Sequence, residues 1–261
     1  MSIEYRLLPP PYTRFGQFLT RQQLEGKLAF APGFLLTMRP DPQDAEADVE
    51  QEIARIRRVH PRATMLLHLD RLEPDGQVRI AAVGGGQAVR GFILGGQPDP
   101  QMLRRELAHP GVLATDIPRV LRLRGHPLGD LTRVFIKAIC AHAHDLRNAG
   151  AIAARIPVSL KQLRAQLTET GLPAPGQFYH IIHMTFIAVA IQRSPVNGEP
   201  PIAYQFGYTD PAALRKRLAD VLGYRPSDIR PILGWEVLLD SGLRRVSPAT
   251  LVPTQAWAPR P

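Results

Sequence analysis

The first hundred residues alternate between short apolar runs and one amphipathic segment. Residues 34–38 form an apolar run that ends at an Arg-Pro pair, which predicts a strand. In residues 41–58, apolar side chains recur at helical spacing and acidic residues crowd the first turns, so we expect a helix. Residues 63–69 and 78–83 predict two strands, joined by a Glu-Pro-Asp-Gly turn at 73–76. The order strand–helix–strand–strand is three quarters of a ferredoxin-like (βαββαβ) unit.

Residues 84–96 are rich in glycine. Glycines bracket a short apolar run there, and such a backbone can approach a phosphate chain closely. No Gly-Lys-Ser/Thr follows, which excludes a Walker A loop, and no helical pattern opens directly after the glycines, which argues against a dinucleotide-binding fingerprint. The segment is either a phosphate-approaching loop or a loose β-hairpin loop.

Residues 101–192 have a mainly helical pattern. One helix is predicted over residues 130–148, a second begins at Ser159 with Gln162 completing a capping box, and a third covers residues 175–193. The third helix is apolar nearly all round, so we expect it to be buried. On the first helix a stripe opposite the apolar face carries one sign of charge and is either a binding surface or a solvated face; it consists of Arg133, Lys137, Cys140, His144 and Arg147.

The last part of the chain returns to mixed patterns. Residues 202–208 predict a strand, and Asp210 with Pro211 predicts the start of a helix that ends near residue 222. Residues 234–239 and 243–246 predict a closing strand pair. The chain is therefore expected to be an α+β protein: a ferredoxin-like (RRM/RAMP-type) core formed by residues 1–100 and 200–261, with an α-helical subdomain at 101–199 inserted between them.

Positive charge is concentrated in the later part of the chain. The formal net charge is +9, and residues 76–261 hold 22 Lys and Arg against 12 Asp and Glu. A localised excess of this kind is typical of polyanion binding. Most of the basic residues are arginines, whose guanidinium groups bind phosphate bidentately and stack on bases. A GC-rich genome would explain why arginine is more frequent than lysine. It would not explain why the excess of positive charge is confined to residues 76–261.

Several familiar chemistries are excluded. The sequence has no Cys-x-x-Cys, His-Glu-x-x-His or Gly-x-Ser-x-Gly motif, and its one cysteine, Cys140, cannot form an internal disulfide. The histidines at 142, 144, 180 and 183 could pair on a metal in principle, but histidines on apolar helices are more often core or capping residues. We therefore expect no metal and no cofactor. No apolar run is long enough to cross a membrane and no signal peptide is visible, so we expect a cytoplasmic protein.

The chain resembles the CRISPR repeat-processing endoribonucleases of the RAMP superfamily, and most of all their arginine-rich type IV form. The resemblance rests on the predicted sheet, the glycine-rich segment at 84–96, the basic helical segment at 130–192 and the arginines 21, 39, 244 and 245 near strand ends. One departure concerns position: the glycine-rich loop of that family usually lies near the C-terminus, whereas here it lies near residue 90.

The resemblance implies a metal-independent endoribonuclease that processes a CRISPR precursor RNA at a repeat stem-loop and stays bound to the product. The 2′-hydroxyl of the substrate would attack the adjacent phosphate and leave a 2′,3′-cyclic phosphate, helped by preorganised positive charge. Arg21, Arg39 and Arg244 are the expected catalytic residues, with His60 and His68 in reserve as general bases. The residues expected to bind RNA are Arg133, Lys137, His144, Arg147, Lys161, Arg164, Arg215, Arg217 and Arg245.

Two competing hypotheses involve no catalysis. Residues 158–192 have the outline of a helix-turn-helix, which would suit a plasmid replication or partition factor, although the second helix is too apolar to face a major groove. Alternatively, the chain is a structural subunit that holds RNA within a ribonucleoprotein complex. In that case other subunits of the complex are its protein partners.

Overall fold

Five strands form one mixed sheet in the first part of the chain. The computed structural model describes residues 3–28, 33–41, 46–69, 89–145, 148–194 and 199–246. The strand order is β2-β1-β3-β4-β5, where β1 is antiparallel to β2 and β3, and β3, β4 and β5 are parallel to one another. The strands are β1 Glu4–Leu8, β2 Phe18–Leu19, β3 Leu35–Arg39, β4 Thr64–Leu69 and β5 Gly91–Leu94.

The two faces of the sheet bury different side chains. Two helices belong to this part, α1 Arg21–Leu28 and α2 Glu46–Val59. On one face Leu36 and Met38 of β3 pack against Ile53 of α2. Because side chains alternate along a strand, Leu35 of β3 points to the other face, where it joins a second cluster. The helix α2 crosses between the adjacent parallel strands β3 and β4, as parallel pairing requires.

The α+β class is confirmed, but the ferredoxin-like form of the sheet is not. A ferredoxin-like unit is a split βαβ, in which another strand lies between the two parallel strands. Here β3 and β4 are direct neighbours, and β5 adds to β4 in parallel instead of closing a hairpin. The predicted strand at 78–83, the turn at 73–76 and residues 84–88 of the glycine-rich segment lie outside the described residues. Residues 91–94 of that segment form β5.

A helical part follows the sheet. Its central helix, Pro175–Arg193, is buried on nearly every side and packs against most of the other helices of this part. No helix in the described residues combines the length and the apolar character needed to span a bilayer. The helices are α3 Pro100–Leu107, α4 Leu113–Leu123, α5 Asp130–Ala141, α6 Ala149–Ala153, α7 Leu160–Glu169, α8 Pro175–Arg193, α9 Glu199–Gln205, α10 Pro211–Leu222, α11 Pro226–Ile229 and α12 Glu236–Val246, with a 3₁₀ turn at Pro110–Val112.

Local signals fix several helix starts as the sequence predicted. Ser159 and Gln162 form the expected capping box at the start of α7. Asp210 caps α10 by accepting a hydrogen bond from the Ala212 amide, and Pro211 occupies the first turn. The expected buried helix is α8, with the bounds that the pattern gave. Local side-chain chemistry therefore determines where these helices begin.

The three strands predicted in the last part of the chain are wrong. Residues predicted as strands at 202–208, 234–239 and 243–246 lie largely in α9 and α12, and the sheet takes no strand from residues 199–246. A short apolar run fits a buried helix as well as a buried strand, and packing against α8 decides the matter here. Residues 199–246 share one apolar core with residues 108–191. The proposed domain boundaries at 100 and 199 stay a prediction.

Candidate nucleic-acid interface

A buried carboxylate on α12 joins the helical part to the sheet. Glu236 accepts hydrogen bonds from the Thr64 hydroxyl at 2.8 Å and from the Trp235 amide at 3.1 Å. It also forms ion pairs with Arg57 Nη2 at 3.4 Å and Arg90 Nε at 3.5 Å, and all three charged side chains are buried. Thr64 and Arg57 belong to the sheet part, so Glu236 ties the two parts together.

The same junction contains a second carboxylate, Asp116 of α4. Arg90 pairs with it and donates Nη2 to the Leu107 carbonyl at 3.1 Å. Burial raises the pKa of Asp116, and burial lowers the pKa of the Arg57 guanidinium. Arg119 pairs with Asp116 at 3.6 Å as well, so three arginines face two carboxylates here. These residues are structural and match no known sequence motif, so the sequence did not predict them.

A third junction carboxylate, Asp240, lies one turn after Glu236 on α12. It accepts hydrogen bonds from Arg62 Nε at 2.6 Å and Arg244 Nε at 2.8 Å, and Arg124 Nη2 also donates to it. Arg244 was expected to be catalytic, and here it pairs with the residue four positions earlier on its own helix. Three arginines surround this single buried carboxylate.

The other two expected catalytic arginines lie elsewhere. Arg21 of α1 pairs with Glu52 of α2 at 3.0 Å, on the face of the sheet that α2 covers. Arg39 ends β3 and pairs with Glu4 at 3.3 Å. Since Met38 points towards α2, its neighbour Arg39 points to the opposite face. The three arginines thus pair with three different carboxylates, and no contact among the described residues brings them together.

One sheet face carries aromatic rings and cations of graded exposure: Phe18 is exposed, Arg6, Phe15 and Arg39 are half-buried, and His68 is buried. We call it the aromatic–arginine face and define it as Arg6, Phe15, Phe18, Arg39 and His68. The Arg6 guanidinium lies 3.5 Å from the centre of the Phe18 ring and 5.6 Å from that of Phe15. Phe15 stacks on His68, with ring centres 4.8 Å apart. Phe18 remains 52% exposed, so its ring can accept another planar partner.

Strand register explains how these residues meet. Arg6 of β1 is paired with Phe18 of β2 on one side and Thr37 of β3 on the other. Met38 is paired with Leu67 in the parallel ladder, which puts Arg39 and His68 side by side at the carboxyl ends of β3 and β4. Near the amino ends of β3 and β4, this side of the sheet is covered by an apolar cluster that includes Leu103 and Leu107 of α3. The aromatic–arginine face lies near the carboxyl ends of the same two strands.

The two reserve histidines have different surroundings. His68 Nε2 lies 2.6 Å from the Gly95 carbonyl oxygen. A carbonyl only accepts, so Nε2 carries the proton and Nδ1 is the basic nitrogen. His60 lies apart, at the end of α2, and burial lowers the pKa of its imidazole. Only His68 is close to one of the expected catalytic arginines.

The predicted stripe on the first long helix is shorter than expected. The helix α5 ends at Ala141, and Arg133 and Lys137 are exposed on it. His144 lies beyond the helix and stacks on Phe206, with ring centres 4.5 Å apart. Burial raises the pKa of the Cys140 thiol to about 12, and Arg147 lies outside the described residues. Two cations of the stripe remain on one helix surface.

The remaining basic residues lie on two further helices and at the end of the chain's described part. Lys161 and Arg164 are exposed on α7, and Arg215 is exposed on α10. Arg217 of α10 is half-buried; burial, and then the charge of Arg217, lower the pKa of His180 to about 4. Arg245 donates Nε to the Asp220 carbonyl at 3.2 Å. Their role in RNA binding stays a prediction.

No protein-family model, curated protein or solved structure matches this chain. Within the ranges that the structure describes, no group of three His, Cys, Asp or Glu side chains could hold a metal ion. The functional argument therefore depends on the charges, rings and hydrogen bonds of the chain itself. Among these, the aromatic–arginine face is the feature best suited to a ligand with flat rings and negative charge.

Proposed function

We propose that this protein binds RNA, and that the aromatic–arginine face is where unpaired bases stack. The observation that carries the proposal is the half-exposed Phe18 ring with the Arg6 guanidinium against it. Proteins that recognise unpaired RNA stack bases on aromatic rings of a sheet or on arginine planes. The exposed cations of α5 and α7 would add contacts to the phosphate backbone.

The proposal depends on this face more than on the type of fold. A ferredoxin-like core was expected from the order of the predicted strands and helix, and the adjacent parallel pair of β3 and β4 argues against it. An open sheet face with aromatic rings can bind bases on either topology, because stacking needs only an accessible ring and nearby positive charge.

Binding is tested by measuring the affinity of the protein for a labelled single-stranded RNA and for a stem-loop RNA. Phe18→Ala is expected to weaken binding about 5- to 150-fold, since a base stacked on an aromatic ring contributes roughly 1–3 kcal/mol. Tyr204→Ala is the matched control, because Tyr204 is an exposed aromatic residue on α9 in the helical part. If Phe18→Ala binds as tightly as the parent protein, the proposal is wrong. A preference for duplex DNA would favour the plasmid factor instead.

Metal-independent cleavage of a CRISPR-type repeat stem-loop is a second candidate function. One observation favours it: Arg39 and His68 are neighbours on the aromatic–arginine face, and Nδ1 of His68 is the basic nitrogen. In this reaction Nδ1 accepts the proton of a ribose 2′-hydroxyl, whose oxygen bonds to the adjacent phosphorus. The bond from phosphorus to the 5′-oxygen breaks, which leaves a 2′,3′-cyclic phosphate. The 5′-oxygen leaves with the downstream RNA and takes a proton from solvent, and Arg39 stabilises the phosphoryl charge.

Cleavage is measured in EDTA with a labelled stem-loop RNA. Arg39→Ala is expected to slow it about 10- to 1000-fold, from roughly 1.4–4 kcal/mol of lost transition-state stabilisation. Arg39→Lys should restore little, because an ammonium lacks the bidentate fork. His68→Asn should also slow cleavage, because an amide cannot act as the general base. Arg21→Ala and Arg244→Ala test the two arginines that lie elsewhere; a loss as large as that of Arg39→Ala would contradict this grouping, and tight uncut RNA would favour the structural-subunit hypothesis.

A further inference from the structure

The buried carboxylate of Asp240 accepts hydrogen bonds from three arginines. Arg62 comes from the loop before β4, Arg124 from the end of α4, and Arg244 from α12. The Asp240 side chain is fully buried, and the Arg124 side chain is 5% exposed. Three guanidinium groups therefore converge on one buried carboxylate.

Two of these arginines have donors to spare. Arg124 Nη1 is buried and has no hydrogen-bond partner among the described residues. Arg62 donates to Asp240 through Nε, and within the described part of the chain it makes no other hydrogen bond. Its side chain is 43% exposed, so its two Nη groups are accessible. A buried guanidinium nitrogen without a partner is costly, which points to an acceptor that the protein itself does not supply.

The neighbouring cluster shares its arginines between two carboxylates. Arg57, Arg90 and Arg119 face Glu236 and Asp116 there, whereas Arg62, Arg124 and Arg244 share Asp240. At Asp240 the arginines repel one another: burial lowers the pKa of Arg124, and the charges of Arg244 and Arg62 lower it further. An anion bound between Arg62 and Arg124 would relieve that repulsion and satisfy the unpartnered nitrogen.

We propose that Arg62, Arg124 and Arg244 form a binding site for a phosphate group. Guanidinium groups match the geometry of phosphate oxygens, and several arginines together favour a dianion. The site lies near the amino-terminal end of β4, away from the aromatic–arginine face. Its ligand is either a free phosphate compound or a backbone phosphate of RNA, and only the second source rests on the proposed function.

Inorganic phosphate is the probe, titrated at constant ionic strength and followed by calorimetry and by ³¹P line broadening. The parent protein should bind it, and Arg62→Gln should weaken binding about tenfold or more, since hydrogen bonds to charged groups are the strong ones. Arg58→Gln is the matched control, because Arg58 is an exposed arginine four residues earlier. Arg244→Gln against Arg245→Gln gives a second pair. Phosphate binding that is absent in the parent, or equal in Arg62→Gln and Arg58→Gln, would overturn the proposal.

The source of the phosphate group is found by repeating the RNA titrations. If the site takes a backbone phosphate, inorganic phosphate competes with RNA and Arg62→Gln lowers the salt slope of RNA binding by just under one. If it takes a free phosphate compound, RNA affinity does not change. Phe18→Ala should leave phosphate binding intact in either case. Failure of the RNA proposal and failure of the phosphate site therefore give different results.

Discussion

Replacing Glu236 by glutamine tests whether the buried junction charges hold the two parts of the protein together. Glutamine keeps the size of the side chain and can still accept from the Thr64 hydroxyl, but it removes the negative charge. Arg90 would keep its pairing with Asp116. Arg57, whose side chain is fully buried, would lose its carboxylate and keep its hydrogen bond to the Ala63 carbonyl.

The expected loss follows from leaving a buried cation without its partner. Breaking a buried ion pair on one side costs about 3–5 kcal/mol, because the remaining charge stays desolvated. For a chain of this size, that lowers the melting temperature by roughly 6–20 °C. Glu106→Gln is the control: its pair with Arg105 is more than half exposed, and such a pair contributes about 1 kcal/mol or less.

The free energy of unfolding is measured in urea, by far-UV circular dichroism and by fluorescence, since Trp235 is adjacent to Glu236. The double variant Arg57→Met, Glu236→Gln should recover part of the loss, because the buried guanidinium that lost the Glu236 carboxylate is gone. If Glu236→Gln costs no more than Glu106→Gln, the ion pairs do not hold the junction and the reasoning fails. Two tryptophans complicate the fluorescence, so circular dichroism decides.

Two further predictions use exposed or half-buried groups. The pKa of His180 is about 4 in the folded protein and about 6.5 when unfolded, so the unfolded chain binds the extra proton between these values. The free energy of unfolding should therefore fall as the pH drops from about 6.5 to 4, and His180→Gln should flatten that fall; equal pH slopes would contradict it. On α5, Arg133→Ala with Lys137→Ala should reduce the salt slope of RNA binding by about 1.5–2, whereas His144→Ala, which removes a stacked ring, should leave the slope unchanged. An unchanged slope in the double variant means that α5 presents only a solvated face.

The sequence predicted those helices best whose spacing or capping residues are found within a few positions of one another. The amphipathic spacing of α2 and the caps of α7 and α10 predicted these helices, because capping and periodicity act within a few residues. The segment 234–239 has no such local signal. It is buried throughout, and its helical form comes from packing against α8, which a linear reading cannot see.

The buried charged residues of the junction show a weak pattern in the sequence, although they match no known motif. Arg57 lies four residues after Ile53 and one after Ile56, on the buried face of α2, so helical spacing alone marks it as an interior arginine. Glu236 and Asp240 stand four residues apart within an apolar segment, which puts both carboxylates on one side of a helix. The aromatic–arginine face left no comparable signal, because it depends on the register between β1 and β2.

The buried charges also bear on the polyanion hypothesis. Interior arginines could have absorbed the positive excess and left a neutral surface. Among the described residues they do not, because the buried arginines Arg57, Arg90 and Arg124 are matched by the buried carboxylates Glu52, Glu236 and Asp240. The formal charge of +9 is therefore carried by the rest of the chain, where it can act on a partner at long range. An arginine-rich composition alone would not require this division, whereas a protein that attracts a nucleic acid does.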